Sequence, residues 1–89
     1  MRAIVTVVGP DRVGIIAEVC GLLAQLNINI IDISQTVMED FFTMIMLTDT
    51  SGAAAGFDGI ADALSRKGEE MQLSIRVQRE DIFNAMHTI

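Results

Sequence analysis

Six consecutive residues, Gly9-Pro10-Asp11-Arg12-Val13-Gly14, gather most of what this chain offers to chemistry. A loop that hands a strand to a helix leaves backbone N–H groups free to meet an anion. Arg12 is either a solvated side chain or a guanidinium for a carboxylate. Asp11 is placed to cap the helix, a contact worth about 1 kcal/mol, and can also accept from an ammonium group. Gly14 has no side chain, so a ligand or a partner can approach its backbone closely. Asn29 adds one more polar group, as a turn residue at the helix end or as a second contact. No nucleophile–base pair, Ser-His-Asp arrangement, metal-ligand cluster or paired catalytic carboxylate accompanies them. His87 is the single histidine and falls in the tail. The chemistry on offer is binding without catalysis, cofactor or metal.

The elements that must position these residues are legible from periodicity. Residues 2–8, RAIVTVV, are rich in β-branched residues and predict a strand that Gly9-Pro10 breaks. Ile15, Ile16, Val19, Leu22, Leu23 and Leu26 recur at helical spacing and predict a helix over 12–26 with Asp11 as its N-cap. Asn27 or Asn29 ends it, because Asn tolerates the left-handed conformation. Residues 29–38 and 41–49 predict two strands joined by a tight hairpin at Glu39-Asp40. That turn sets Met38 against Phe41, Val37 against Phe42 and Ile33 against Met46. Ile31, Ile33, Val37, Phe42, Met44 and Met46 then share the face that meets the helices, opposite Asp32, Ser34, Thr36 and Thr43. After the loop 50–56, a second amphipathic helix carries Phe57, Ile60, Ala61, Leu64 and Met71, with Gly68 weakening its last turn. Residues 73–79 alternate as a half-buried strand. The tail 81–89 predicts a short helix with Ile82, Phe83 and Met86 on one side.

The order β-α-β-β-α-β is that of the split-βαβ, ferredoxin-like fold. The expected class is α+β: a four-stranded antiparallel sheet, strands one and three central, with both helices on one face. The 89 residues suit a single domain, 1–89, with one core. Ile4, Phe41 and Ile45 are expected on the face away from the helices, and a chain so short gains from association, so a homodimer is expected.

Composition narrows the function. Twelve acidic residues against six basic ones give a net charge of −6, which argues against a nucleic-acid partner. The single Cys20 excludes an internal disulfide and is expected to be a buried thiol in a helix. The N-terminus reads as a strand and not as a signal peptide, and no apolar run reaches the length of a membrane span. A cytoplasmic location without membrane association is expected. Among ferredoxin-like proteins, a metal carrier wants two cysteines in the first loop, and an RNA-recognition domain wants exposed aromatics and basic residues on the central strands. An acylphosphatase-like hydrolase could use Arg12 with Asn27 or Asn29, but Pro10 removes an N–H from the cradle and Asp11 repels phosphate.

The stretch VVGPDRVGIIAEVCGLLAQLNINIIDISQ resembles the first half of an ACT domain. Gly14 at the helix start, the aliphatic Ile15-Ile16 and the step Asn29-Ile30 into strand two carry the likeness. Gly-Pro-Asp-Arg ahead of Gly14 is similar to the ACT domains of glycine-cleavage regulators, and the remainder resembles small stand-alone ACT-domain proteins of bacteria and archaea. The resemblance implies a regulatory domain that binds a small molecule, an amino acid above all, at a homodimer interface beside the first loop. The residues it implies are Asp11, Arg12, Val13, Gly14, Ile15 and Asn29. Many amino-acid-binding members carry Asn where Asp11 stands. A dimeric scaffold that docks onto another protein is the alternative.

Overall fold

A computed structural model of the chain describes residues 1–81. In chain order it contains β1 (Arg2–Pro10), α1 (Ile15–Gln25), β2 (Asn29–Met38), β3 (Phe41–Asp49), α2 (Phe57–Met71) and β4 (Ser74–Arg79). The four strands form one antiparallel sheet in the order β2-β3-β1-β4. This is the expected ferredoxin-like arrangement, with strands one and three at the centre. The predicted tail helix with Ile82, Phe83 and Met86, and His87 with it, lies outside the described residues.

Alternation along the central strands decides where the core sits. Ala3, Val5 and Val7 of β1 and Phe42, Met44 and Met46 of β3 turn to one face and are buried there. Ile15, Val19 and Leu23 of α1, one turn apart, and Ile60 and Leu64 of α2 fill the other side of the same core. Thr48 is polar within this face, and its hydroxyl donates to the Ala3 carbonyl at 2.9 Å.

Both helices end the same way. Asn27 and Gln72 adopt φ of 60° and 58°, and the next residue's N–H turns back to the helix: Ile28 to the Leu23 carbonyl at 2.9 Å, Leu73 to the Gly68 carbonyl at 2.8 Å. These are Schellman ends, each closed by a buried aliphatic residue. Asn27 therefore ends α1 as its type allows. Its side-chain amide also donates to the Gly52 carbonyl at 2.7 Å, which fixes the loop before α2. Gly68 does not weaken α2 so much as permit its packing: a Cβ there would stand 2.7 Å from the Leu73 carbonyl oxygen.

Several expectations are corrected. β1 does not stop at Gly9 but runs on to Pro10, which pairs with Phe41. β4 has ended its pairing at Val8, so no neighbouring strand needs the N–H that Pro10 lacks. α1 begins at Ile15, three residues later than predicted, with Gly14 and not Asp11 as its N-cap. The hairpin register is as predicted for Met38–Phe41, Val37–Phe42 and Ile33–Met46. It slips at Ile31, where a bulge sets Ile30 against Thr48 and Asp32 against Leu47. Ile33 and Val37 do share the face of Met46 and Phe42, but they remain exposed at 42% and 54%. The two helices cover the central strands and leave the edge strand β2 bare. Ile16 is likewise exposed, and Cys20 is half-buried, not enclosed.

Candidate ligand-binding corner

The predicted loop is held as a corner between three elements. The backbone N–H of Asp11 donates to the Asp40 carbonyl at 2.8 Å, which ties the loop to the β2–β3 hairpin. The Arg12 guanidinium donates to the Met71 carbonyl at the C-terminal end of α2. Arg12 is therefore a structural tie, a third role beside the two expected of it. Asp11 spends its backbone on the hairpin and leaves its carboxylate exposed.

Gly14 has φ of 93°, in the left-handed region that side chains resist. A Cβ there would meet nothing within 4 Å, so the glycine is required by its backbone conformation and not by crowding within the chain. From this position its carbonyl accepts the first helical bond, from Glu18 N–H at 2.9 Å. No side chain caps the helix. The leading N–H groups of α1, beginning with Ile15, are thus left to a ligand or solvent. The helix dipole adds partial positive charge at the same place.

Beside this turn lies an open cleft of about 330 Å³, lined by Arg12, Val13, Gly14, Glu18, Glu70 and Met71. Ile15 is buried in the core and serves the corner only through its backbone. Val13 projects fully into solvent, an apolar side chain with no cover. The far wall is charged. Lys67 reaches Glu18 at 2.8 Å and Glu70 at 3.8 Å. The hydrogen bond from Lys67, then its charge, holds the Glu18 carboxyl below the ordinary glutamate range. The same bond raises Lys67 above the ordinary lysine value. This lattice could not be read from the sequence, because Glu18 and Lys67 sit on different helices. The one available signal was that each lies at the flank of the apolar stripe of its own helix.

Asn29 is not part of the corner within one chain. It pairs with Asp49, in the row of Arg2, whereas the loop follows Pro10 at the other end of β1. Eight residue steps separate the two rows, roughly 27 Å at ~3.4 Å per residue. A single chain thus offers N–H donors, an exposed apolar side chain and flanking carboxylates: groups suited to holding a small zwitterion.

The comparisons with known proteins agree with this architecture. The chain is 54% identical over 89 residues to the UPF0237 protein lin0537 of Listeria innocua, covering 100% of both chains. In structure it is similar to an ACT domain protein from Streptococcus pneumoniae, with a TM-score of 0.83 and 37% identity, covering 100% of this chain and 97% of that one. It is also similar to a protein described as a glycine cleavage system transcriptional repressor, with a TM-score of 0.76 and 30% identity, covering 86% of this chain but 44% of that one. The family model for the ACT domain matches residues 2–78, from the first strand through the last. With the whole sheet and both helices inside that match, the chain belongs to the ACT domain family.

Proposed function

We propose that this ACT domain senses an amino acid at a homodimer interface, in the cytoplasm, and acts by binding and not by catalysis. The observation that carries the reading is the left-handed Gly14 turn. It presents uncapped N–H groups of α1 at the mouth of a cleft walled by carboxylates. The N–H groups suit an α-carboxylate. The exposed Asp11 carboxylate suits an α-ammonium group.

The bare edge of β2 supports the dimer. It is ten residues long, exposed nearly throughout, and carries Ile33 and Val37 on an uncovered face. Such an edge is a template for another strand. Antiparallel pairing of two β2 edges about a two-fold axis reverses the sheet end for end. With Asn29 of the partner subunit opposite Met38, that asparagine arrives at the end of the sheet that holds the Asp40–Asp11 bond, the end its own chain keeps it from. The long separation of Asn29 and Gly14 within one chain is then a reason for two chains and not an obstacle.

Titration calorimetry of the purified protein against the common amino acids tests the reading. Heat and a thermal shift are expected with at least one of them, lost in Gly14→Val, whose branched side chain both resists the turn and fills the approach. No heat and no shift with any amino acid at millimolar concentration overturns the amino-acid reading and leaves the dimeric scaffold that docks onto another protein.

A further inference from the structure

The sheet face away from the helices carries an apolar ridge that the proposed dimer does not use. Ile4 and Val8 of β1 and Phe41, Ile45 and Leu47 of β3 alternate onto it, since each is out of phase with the core residues of its strand. Phe41 and Ile45 are exposed at 60% and 40%. A contiguous apolar patch on a surface marks an interaction site. Charge stands at the two margins of the ridge, one sign on each. Asp32 of β2 lies beside Leu47, in the row of Ile4, and Arg76 of β4 lies beside Thr6, in the row of Ile45. Both are exposed, and neither enters an ion pair among the described residues.

The face is large enough to hold a second copy of the chain. Four strands at ~4.8 Å spacing and about nine residues at ~3.4 Å each give a footprint of roughly 600 Å². A standard interface takes about 800 Å² of accessible surface from each partner, and accessible surface exceeds its own footprint wherever side chains stand out. Two sheets stacked face to face about a two-fold axis have two simple arrangements. An axis across the strands, centred on the face, sets each strand on its own copy. Arg76 then lies against Arg76 of the partner subunit, and Phe41 falls over Asp49 of the partner subunit. An axis along the strands instead sets β2 over β4 and β3 over β1, row on row. Leu47 then meets Ile4 of the partner subunit, and Phe41 meets Pro10 of the partner subunit. Asp32 comes one row from Arg76 of the partner subunit, and the two-fold repeats every contact. Only the second arrangement matches apolar with apolar and acid with base.

We infer that two copies of the chain stack sheet to sheet through this face, about a two-fold axis along the central strands, with Asp32 of each copy paired to Arg76 of the other. The inference is independent of the ligand-binding reading, and it leaves the β2 edge free for the pairing proposed above.

Sedimentation equilibrium of the full-length protein tests it. The face pairing gives a mass of two chains, or of four where the β2 edges pair as well. Ile45→Lys, or the milder Ile45→Thr, should halve that mass with the far-ultraviolet circular dichroism retained. Arg76→Asp sets a carboxylate against Asp32 of the partner subunit and should weaken the association about tenfold. Adding Asp32→Arg to it should restore the association, which a loss of folding would not allow. The chain has no tryptophan and no tyrosine, so Phe41→Trp is a single reporter on the ridge. Its emission should move to the blue as the protein associates. A native protein with the mass of one chain overturns the proposal. So does a mass indifferent to Ile45→Lys and Arg76→Asp, or a double variant that associates no better than Arg76→Asp alone. A blue shift that persists in dilutions where the mass is that of one chain also overturns it and assigns the ridge to an occupant within the chain.

Discussion

The guanidinium of Arg12 donates to the main-chain carbonyl of Met71, so the loop ahead of the first helix is tied to the last turn of the second. Arg12 thereby closes a carbonyl that α2 leaves unpaired. Arg12→Ala is expected to cost about 1 kcal/mol, since one charged donor to one exposed carbonyl is lost. Arg12→Lys should recover part of it. Asp11→Ala, by contrast, should change stability by less than about 0.5 kcal/mol, because Asp11 does not cap α1. Urea denaturation of the three variants at neutral pH checks the ranking.

Gly14 separates conformational cost from crowding. Because a Cβ meets nothing there, Gly14→Ala should cost only the left-handed backbone, about 1–2 kcal/mol. Gly14→Asn should cost less, since Asn visits that region more readily. Equal losses for the two variants would show that something besides backbone conformation acts at this position.

Gln72 occupies the left-handed position that glycine favours at the end of α2, with φ of 58°. Gln72→Gly is expected to stabilise the protein by about 1 kcal/mol. Asn27→Gly should not gain as much, because it loses the amide bond to the Gly52 carbonyl. Thermal denaturation of the pair tests this difference between two otherwise matching helix ends.

The Glu18–Lys67 pair gives a pH signature with two edges. Glu18 has a lowered folded-state pKa, so its contribution is present above the ordinary glutamate value and is lost as pH falls through the folded one. Lys67 has a raised folded-state pKa, so its contribution is present below the ordinary lysine value and is lost as pH rises through the folded one. The stability gap between the wild-type protein and Lys67→Met should therefore be widest and level around neutral pH. It should narrow in acid below the ordinary glutamate value and again in strong base. A gap that stays level into acid would mean that Glu18 gains nothing from the lysine. Added salt should shrink the plateau, since the carboxylate is exposed.

The proposed shared site predicts complementation. Gly14→Val damages the loop, and Asn29→Ala damages the residue supplied across the two-fold. In a mixed dimer one site carries both changes and the other carries neither. Co-refolding the two variants should restore amino-acid binding that neither shows alone, as read by calorimetry. A mixture as silent as its parts would place Asn29 outside the site.

By itself the sequence determined the elements and their order, because these rest on local periods. Val5 and Val7 alternate with Thr6, and Ile15, Val19 and Leu23 recur every fourth residue, whatever lies around them. The two-residue turn at Glu39-Asp40 then fixed the register of Val37 against Phe42, since a tight hairpin leaves one solution. The tertiary structure decided what depends on distant neighbours. Whether Ile33 and Val37 are covered depends on how far two helices reach across four strands, and they stop short of β2. The bulge at Ile31 reconciles a hairpin register set at one end with packing set at the other. Asp11 looks like a cap until the hairpin carbonyl of Asp40 takes its N–H and carries the helix start on to Gly14. The corner itself was visible as GPDRVG, because glycine and proline signal a turn locally. Its wall of Met71, Glu18 and Glu70, with Lys67 paired to both carboxylates, was not, because those residues meet only when α1 and α2 are laid side by side on the same face of the sheet.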